Sequence, residues 1–231
     1  MNTGSFSLLE LFNMGGVMMW PLLFFSIATI AISIERVVYL LYHNLRLDDI
    51  SATISGYMEN DDYPKAKQYL LNLTKRRMGA RIILALLDHS SPDKKFSEHR
   101  AERAAELEAM NCIHSLENGF NFLVALGSLS PLTGFLGTVT GMIGAFRSIA
   151  EATEVNAQIV ASGIYEALVT TVFGLIIAII AMVFHSIFTH IVDKFAADVE
   201  GTCTKLIDFL AEKSADNQSA DIQAEKNSDM N

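Results

Sequence analysis

No lysine or arginine precedes Arg36 in this chain of 231 residues. The basic n-region of a cleaved secretory signal is therefore missing, and the first apolar run is expected to stay in the protein. Cysteine is scarce too: Cys112 and Cys203 have no Cys-x-x-Cys partner, so neither a disulfide framework nor a metal site is implied. No phosphate loop of the Gly-x-x-x-x-Gly-Lys-Ser/Thr kind occurs, and no zincin, dinucleotide or nucleophile-elbow pattern. No cofactor or metal is expected, and an enzymatic reading has no residues to rest on. The net charge of −9 gives no hint of nucleic acid, since the segment from Ile191 onward holds nine acids against four bases and reads as a solvated acidic end.

Charge is also missing from three long stretches. Residues 17–34, 120–146 and 167–192 form apolar runs of 18, 27 and 26 residues without a formal charge. Each is near or above the roughly 20 residues needed to cross about 30 Å of hydrocarbon. With 51% apolar residues and a mean hydropathy of +0.30, the chain reads as an all-α membrane protein with three transmembrane helices. Lysine and arginine number none in the N-terminal segment, eleven in 43–119, one in 147–165 and four from Ile191 onward. The positive-inside bias then predicts an outer-side segment at 1–16 and a first span at 17–42. A cytoplasmic helical domain at 43–119 follows, then a second span at 120–146, an outer connector at 147–160 and a third span at 161–190. A cytoplasmic helix at 191–213 and a disordered acidic tail at 214–231 complete the order.

Inside the third apolar region sits one acid, Glu166. It is the only formal charge in the 38 residues 155–192. A carboxylate in hydrocarbon is costly and by default faces a bundle interior or a wet path; the alternative is a helix-start acid at the interface, favoured by the helix dipole. Ala167, Thr171, Gly174, Ala178 and Ala181 recur beside it at steps of four and three, one stripe of small residues on a helix. The preceding span carries a matching stripe in Gly134, Gly137, Gly141, Gly144 and Ser148, which invites backbone-to-backbone packing. Thr133, Thr138, Thr140 and Thr170 add hydroxyls, so the expected product is a polar seam in an apolar bundle. Such stripes alone say only that helices pack.

Elsewhere, Trp20 and Pro21 open the first span, and Glu35-Arg36 closes it as a snorkelling pair just inside the boundary. Residues 48–59 and 64–77 read as short amphipathic helices, and Ser90-Ser91-Pro92-Asp93 as a turn. Ala101, Ala105, Ala109, Ile113, Leu116 and Phe120 predict one helix over 97–146 running from the cytoplasmic domain into the membrane, with a kink at Pro131. Val192, Phe195, Val199, Cys203, Leu206 and Leu210 form a packing seam past the third span. His185 and His190 are interfacial polar residues or members of a proton relay.

Three stretches resemble the MotA/TolQ/ExbB proton-channel family: Gly15-Gly16-Val17-Met18-Met19-Trp20-Pro21-Leu22 on to Glu35-Arg36; Ser130-Pro131-Leu132-Thr133-Gly134-Phe135-Leu136-Gly137-Thr138-Val139-Thr140-Gly141; and Gly163-Ile164-Tyr165-Glu166-Ala167-Leu168-Val169-Thr170-Thr171-Val172-Phe173-Gly174. The resemblance implies that Glu166 is the pore acid and that Thr138 and Thr171 are the pore threonines. It also implies a ring of five copies in the cell inner membrane around helices of a single-span ExbD/TolR-type partner, working on a TonB/TolA-type envelope protein. Three spans fit ExbB or TolQ better than the four-span MotA. Ile180 stands where the family usually has proline. On this reading a carboxyl in a nearly dry seam, its charged form disfavoured, loads a proton from the outer side and releases it inward. The competing reading is a passive membrane scaffold in which Glu166 only bonds across helices.

Overall fold

A computed structural model describes residues 8–60, 62–89, 97–151 and 157–228, and every regular element among them is helical. In chain order they are α1 (Leu8–Met14), α2 (Met19–Tyr42), α3 (Asp48–Glu59), α4 (Tyr63–Leu73), α5 (Met78–Asp88), α6 (Glu98–Glu117), α7 (Phe120–Glu151) and α8 (Ala157–Ser228). The turn expected at Ser90-Ser91-Pro92-Asp93 lies outside the described residues. Three helical stretches, in α2, α7 and α8, are long and apolar enough to cross a membrane.

The chain divides into two compact units. The first comprises Met1–Val37 and Gly119–Thr189. Its α2 begins with Pro21 in the first turn, where no intrahelical donor is needed. Met19 and Leu22 on one face pack with Val169 and Ile177, while Phe24, Ile27, Ile30 and Ile34 point outward. The outer faces of α7 and α8 are equally apolar, with Leu132, Phe135, Ile143, Leu168, Val172 and Ile179 exposed. A surface of this kind is stable against lipid tails or other apolar helices, not against water.

The expected single helix over 97–146 is two helices. Asn118 (ψ 128°) and Gly119 (φ +92°) break the run between α6 and α7. Glycine adopts that φ without the Cβ penalty other residues incur, and a Cβ there would stand 3.2 Å from Arg36 Nε. Arg36 is correspondingly not a snorkelling side chain. It bonds the Glu35 carboxylate through Nη2 at 2.9 Å, but it is buried and turned toward Gly119. Pro131 lies within α7, which continues past it to Glu151.

The second unit comprises Val38–Asn118 and His190–Asn231. Here α3, α4, α5 and α6 pack in consecutive order. Their core is Ile50, Ile54 and Met58, then Ala66 and Leu70, then Ile82, Ile83 and Leu86, and finally Ala101, Ala105, Cys112 and Leu116. Burying each large aliphatic side chain contributes about 1.5–3 kcal/mol. Helix α5 is not separated out by the sequence reading, although Met78, Ile82, Ile83 and Leu86 have helical spacing. The α8 seam is buried at Val192, Phe195, Val199, Leu206 and Leu210. Near its end Lys213 Nζ donates to Met58 O of α3 at 2.8 Å. The helix then continues to Ser228, through residues whose composition points to an unstructured tail. Gln, Ala, Glu and Lys are good helix formers, and an existing helix extends without a new nucleation cost.

Both cysteines are in this second unit, outside the charge-free apolar runs. Burial pushes the Cys112 thiol up from 9.0 to about 11, with Arg81 opposing and Glu108 adding to the shift, and burial alone does the same for Cys203. At pH 8 this leaves about a hundredfold less thiolate than in the unfolded chain. The folded protein should therefore alkylate with iodoacetamide far more slowly than the urea-unfolded chain, and equal rates would show both thiols to be accessible. Because the folded values are raised, the associated stability is complete below pH 9 and is lost as pH climbs from 9 toward 11.

Candidate functional site

The site forms where α7 and α8 touch. Gly134, Gly137 and Gly141 of α7 are buried against α8: a Cβ at Gly134 would stand 2.8 Å from Thr170 O, one at Gly137 would overlap the Thr170 hydroxyl, and one at Gly141 would stand 3.1 Å from Gly163 O. From the other side, a Cβ at Gly174 would stand 2.5 Å from Ser130 O and 3.3 Å from the Gly134 Cα. The backbones are in direct contact, as small residues permit. Ala167 and Ala178 are buried on the same helix. Gly144 is different: its Cβ position meets nothing within 4 Å, and Ala145 is buried in its place.

Thr170 is the hydroxyl at the centre of this contact, 0% exposed, donating to Ala167 O at 2.9 Å and Gly134 O at 3.3 Å. Thr171 is half-buried and reaches Gly134 O at 3.4 Å. Thr138 turns its hydroxyl onto its own helix, donating to Phe135 O at 2.6 Å. The three threonines thus bond backbone carbonyls rather than the Glu166 carboxylate.

Glu166 is half-buried on α8, one turn before Thr170. Two features define its surroundings. The first is the corner between α1 and α2: Gly16 has φ +66°, and a Cβ built there would fall inside the Glu166 carboxylate. The carboxylate therefore lies directly against the Gly16 backbone. The second is an open groove of about 530 Å³ lined by Thr140, Gly141, Gly144, Ala145, Ser148, Gln158, Ser162, Gly163 and Glu166. The acid thus lines an open groove and packs against a glycine corner. Sequence reasoning missed Gly16 and Gly163 as parts of the site. Gly163 could have been found, since it continues the α8 stripe four residues before Ala167.

His185 is half-buried with its ring edge-on to Phe120, centroids 6.2 Å apart, and His190 is exposed. His185 is 19 residues beyond Glu166 on one continuous helix, roughly 28 Å at 1.5 Å per residue, too far for direct proton exchange. Helix α8 passes through Ile180 without interruption.

Three apolar helices, two of them in close backbone contact beside a half-buried acid, define a multi-span membrane protein. Comparison of the sequence with known families specifies it further. Residues 74–201 match the MotA/TolQ/ExbB proton channel family, and the chain belongs to that family. It is 31% identical over 202 residues to biopolymer transport protein exbB1 of Vibrio cholerae, covering 85% of each chain. It is 30% identical over 188 residues to the putative biopolymer transport protein ExbB-like 3 of Synechocystis, covering 75% of this chain and 81% of that one. It is also similar to the Tol-Pal system protein TolQ of Haemophilus influenzae, 44% identical over 80 residues, 35% of each chain.

Proposed function

We propose that the chain is the proton-channel subunit of an inner-membrane energy-transducing complex of the ExbB kind. Glu166 carries the proton, and Thr138, Thr170 and Thr171 form the polar path beside it. The N-terminus lies outside, and the 43–119 region and the C-terminal helix are cytoplasmic. Five copies form a ring around helices of an ExbD-type single-span partner, and the complex drives a TonB-type envelope protein for outer-membrane transport. The observation that carries this reading is the Glu166 carboxyl in the lining of the open groove, in a window with no other charge. A charge there responds both to protonation and to the membrane potential, about 2.3 kcal/mol per elementary charge per 100 mV. The glycine contacts keep the wall between α7 and α8 thin and rigid while the exposed apolar faces are left for other copies and lipid.

A Tol-type role for envelope integrity and division is the second reading, and the identity to TolQ over 80 residues favours it locally. The longer match to exbB1 favours the first. Proton uptake by vesicles containing the chain with its membrane partner tests the conductor role.

The glycine corner gives a further expectation. Gly16→Ala adds a Cβ where the Glu166 carboxylate lies and forces an L side chain into φ +66°, a conformation costing roughly 1–2 kcal/mol. Proton uptake should fall about tenfold, by analogy with the cost of misplacing a proton-transfer group. Gly56→Ala, where a Cβ meets nothing within 4 Å, serves as the neutral control. Identical uptake in Gly16→Ala and wild type would show that the corner does not position the acid.

A further inference from the structure

Leu40 and Leu41 lie in the last turn of α2, and Ile191 lies at the end of the charge-free run of α8. Just beyond them both segments become charged. Arg46 and Asp48 follow α2 on the way into α3, and Lys194 and Asp198 follow on α8. The two transitions meet in one open groove of about 540 Å³ within the second unit, a size usual for small-ligand pockets. Its apolar lining is Leu40, Leu41, Leu45, Ile191 and Phe195. Its polar lining is Arg46, Lys194, Asp48 and Asp198, with Asn44 and His190. Asn44 (φ 30°) makes the turn out of α2, its Oδ1 accepting the Arg46 N–H at 3.4 Å, a backbone conformation that asparagine tolerates. His190, Lys194 and Asp198 follow at steps of four on one face of α8.

Arg46, Asp48, Lys194 and Asp198 are all exposed, and among the described residues none of them forms an ion pair, although Lys194 and Asp198 have the spacing for one. Two cations and two carboxylates in one groove cancel, so their sum favours neither a simple anion nor a simple cation. What complements them is a ligand that carries both signs on an apolar body. Where an apolar run gives way to charge, the bilayer supplies such a ligand as a phospholipid headgroup. The Arg46 guanidinium and the Lys194 ammonium, helped by the ring N–H of His190, are donors for phosphate oxygens. The Asp48 and Asp198 carboxylates can only accept, so the ammonium they meet must carry N–H groups. A primary ammonium has three and a quaternary ammonium has none. Phosphatidylethanolamine therefore fits and phosphatidylcholine does not, while phosphatidylglycerol brings a negative charge and no cation to the two carboxylates. We propose that this groove binds phosphatidylethanolamine, with its phosphate on Arg46 and Lys194, its ammonium on Asp48 and Asp198, and the start of its acyl chains along Leu40, Leu41, Leu45 and Ile191. The site requires α2 and α8 to span the bilayer and does not depend on the proton role of Glu166.

Photo-crosslinking of the full chain in phosphatidylcholine vesicles tests this directly. Each preparation holds a trace of one probe, either phosphatidylethanolamine, phosphatidylcholine or phosphatidylglycerol, all with the same diazirine-bearing acyl chain. The phosphatidylethanolamine probe should label residues 40–45 and 190–195 about threefold or more above the other two, a preference of the size exposed charge pairs supply. Phe24, Ile27 and Ile30, exposed on α2 within its charge-free run, should take up all three probes equally and set the background. Equal labelling of the groove by the three probes, labelling no higher than this background, or a preference for phosphatidylglycerol would each overturn the site. The double variant Asp48→Asn with Asp198→Asn gives an independent reading, and both positions are exposed, so the fold is retained. It removes the ammonium acceptors and leaves the cations, so the preference over phosphatidylcholine should vanish and labelling by phosphatidylglycerol should rise. A variant that still prefers phosphatidylethanolamine would show that the carboxylates do not read the ammonium, and that too would overturn the assignment.

Discussion

Vesicles carrying this chain and its membrane partner with Glu166→Gln take up protons at the background rate of empty vesicles, while the complex assembles as in wild type. The amide has nearly the volume of the carboxyl and keeps an acceptor oxygen, so contacts with Gly16 and the groove survive. What it loses is the ability to bind and release a proton. A positioned proton-transfer group contributes about 10²–10⁴-fold, and no other acid lies within 155–192 to substitute for it. The expected loss is therefore about a hundredfold or more under an imposed potential. The passive-scaffold reading makes the opposite forecast, since Gln hydrogen-bonds across helices as well as Glu does. Undiminished uptake in an assembled Glu166→Gln complex would sink the conductor role and leave the scaffold.

The second large effect is a graded one, along the α7–α8 contact. Gly174→Ala places a Cβ 2.5 Å from Ser130 O and 3.3 Å from the Gly134 Cα, both backbone atoms that move only if the helices separate. Gly134→Ala meets Thr170 O at 2.8 Å and is nearly as severe, and Gly137→Ala collides with the side chain of Thr170, which is already 0% exposed. Gly141→Ala has its nearest atom at 3.1 Å and asks its neighbours to give by a few tenths of an ångström. Gly144→Ala meets nothing within 4 Å. Overpacking costs about 1–3 kcal/mol per site and more for larger side chains. Thermal unfolding in nanodiscs should therefore rank Gly174→Ala and Gly134→Ala lowest, with melting points several degrees below wild type, Gly141→Ala intermediate and Gly144→Ala unchanged. A Gly174→Ala protein that melts with Gly144→Ala would refute the close backbone contact. This series disturbs packing in conductor and scaffold alike, so only together with Glu166→Gln does it separate them.

The Gly144 position shows where sequence periodicity loses its resolution. A stripe at steps of three and four identifies a helix face to within a residue, so Gly144 and Ala145 are equally good continuations of Gly134, Gly137 and Gly141. The crossing of the partner helix decides between them, and it chooses Ala145. The same applies on α8, where the stripe drawn through Thr171 is centred on Thr170. The break between α6 and α7 had a local signal in Asn118-Gly119, but the hydrophobic spacing across it is uninterrupted, and spacing alone favours one helix.

By itself the amino-acid sequence determined the three apolar helices, because the length of a charge-free run is compared directly with the thickness of a bilayer. It also determined that one acid stands alone among them, and that a seam of large apolar residues continues past the third span, since both are properties of order along the chain. Only the tertiary structure brought the α1–α2 corner at Gly16 onto the Glu166 carboxylate, from 150 positions away in the chain. Only it turned Arg36 inward beside Gly119 and left Thr29 and Ser33 buried without protein partners. Such proximities are set by how helices cross and how closely glycine lets them approach, and local spacing carries no record of either.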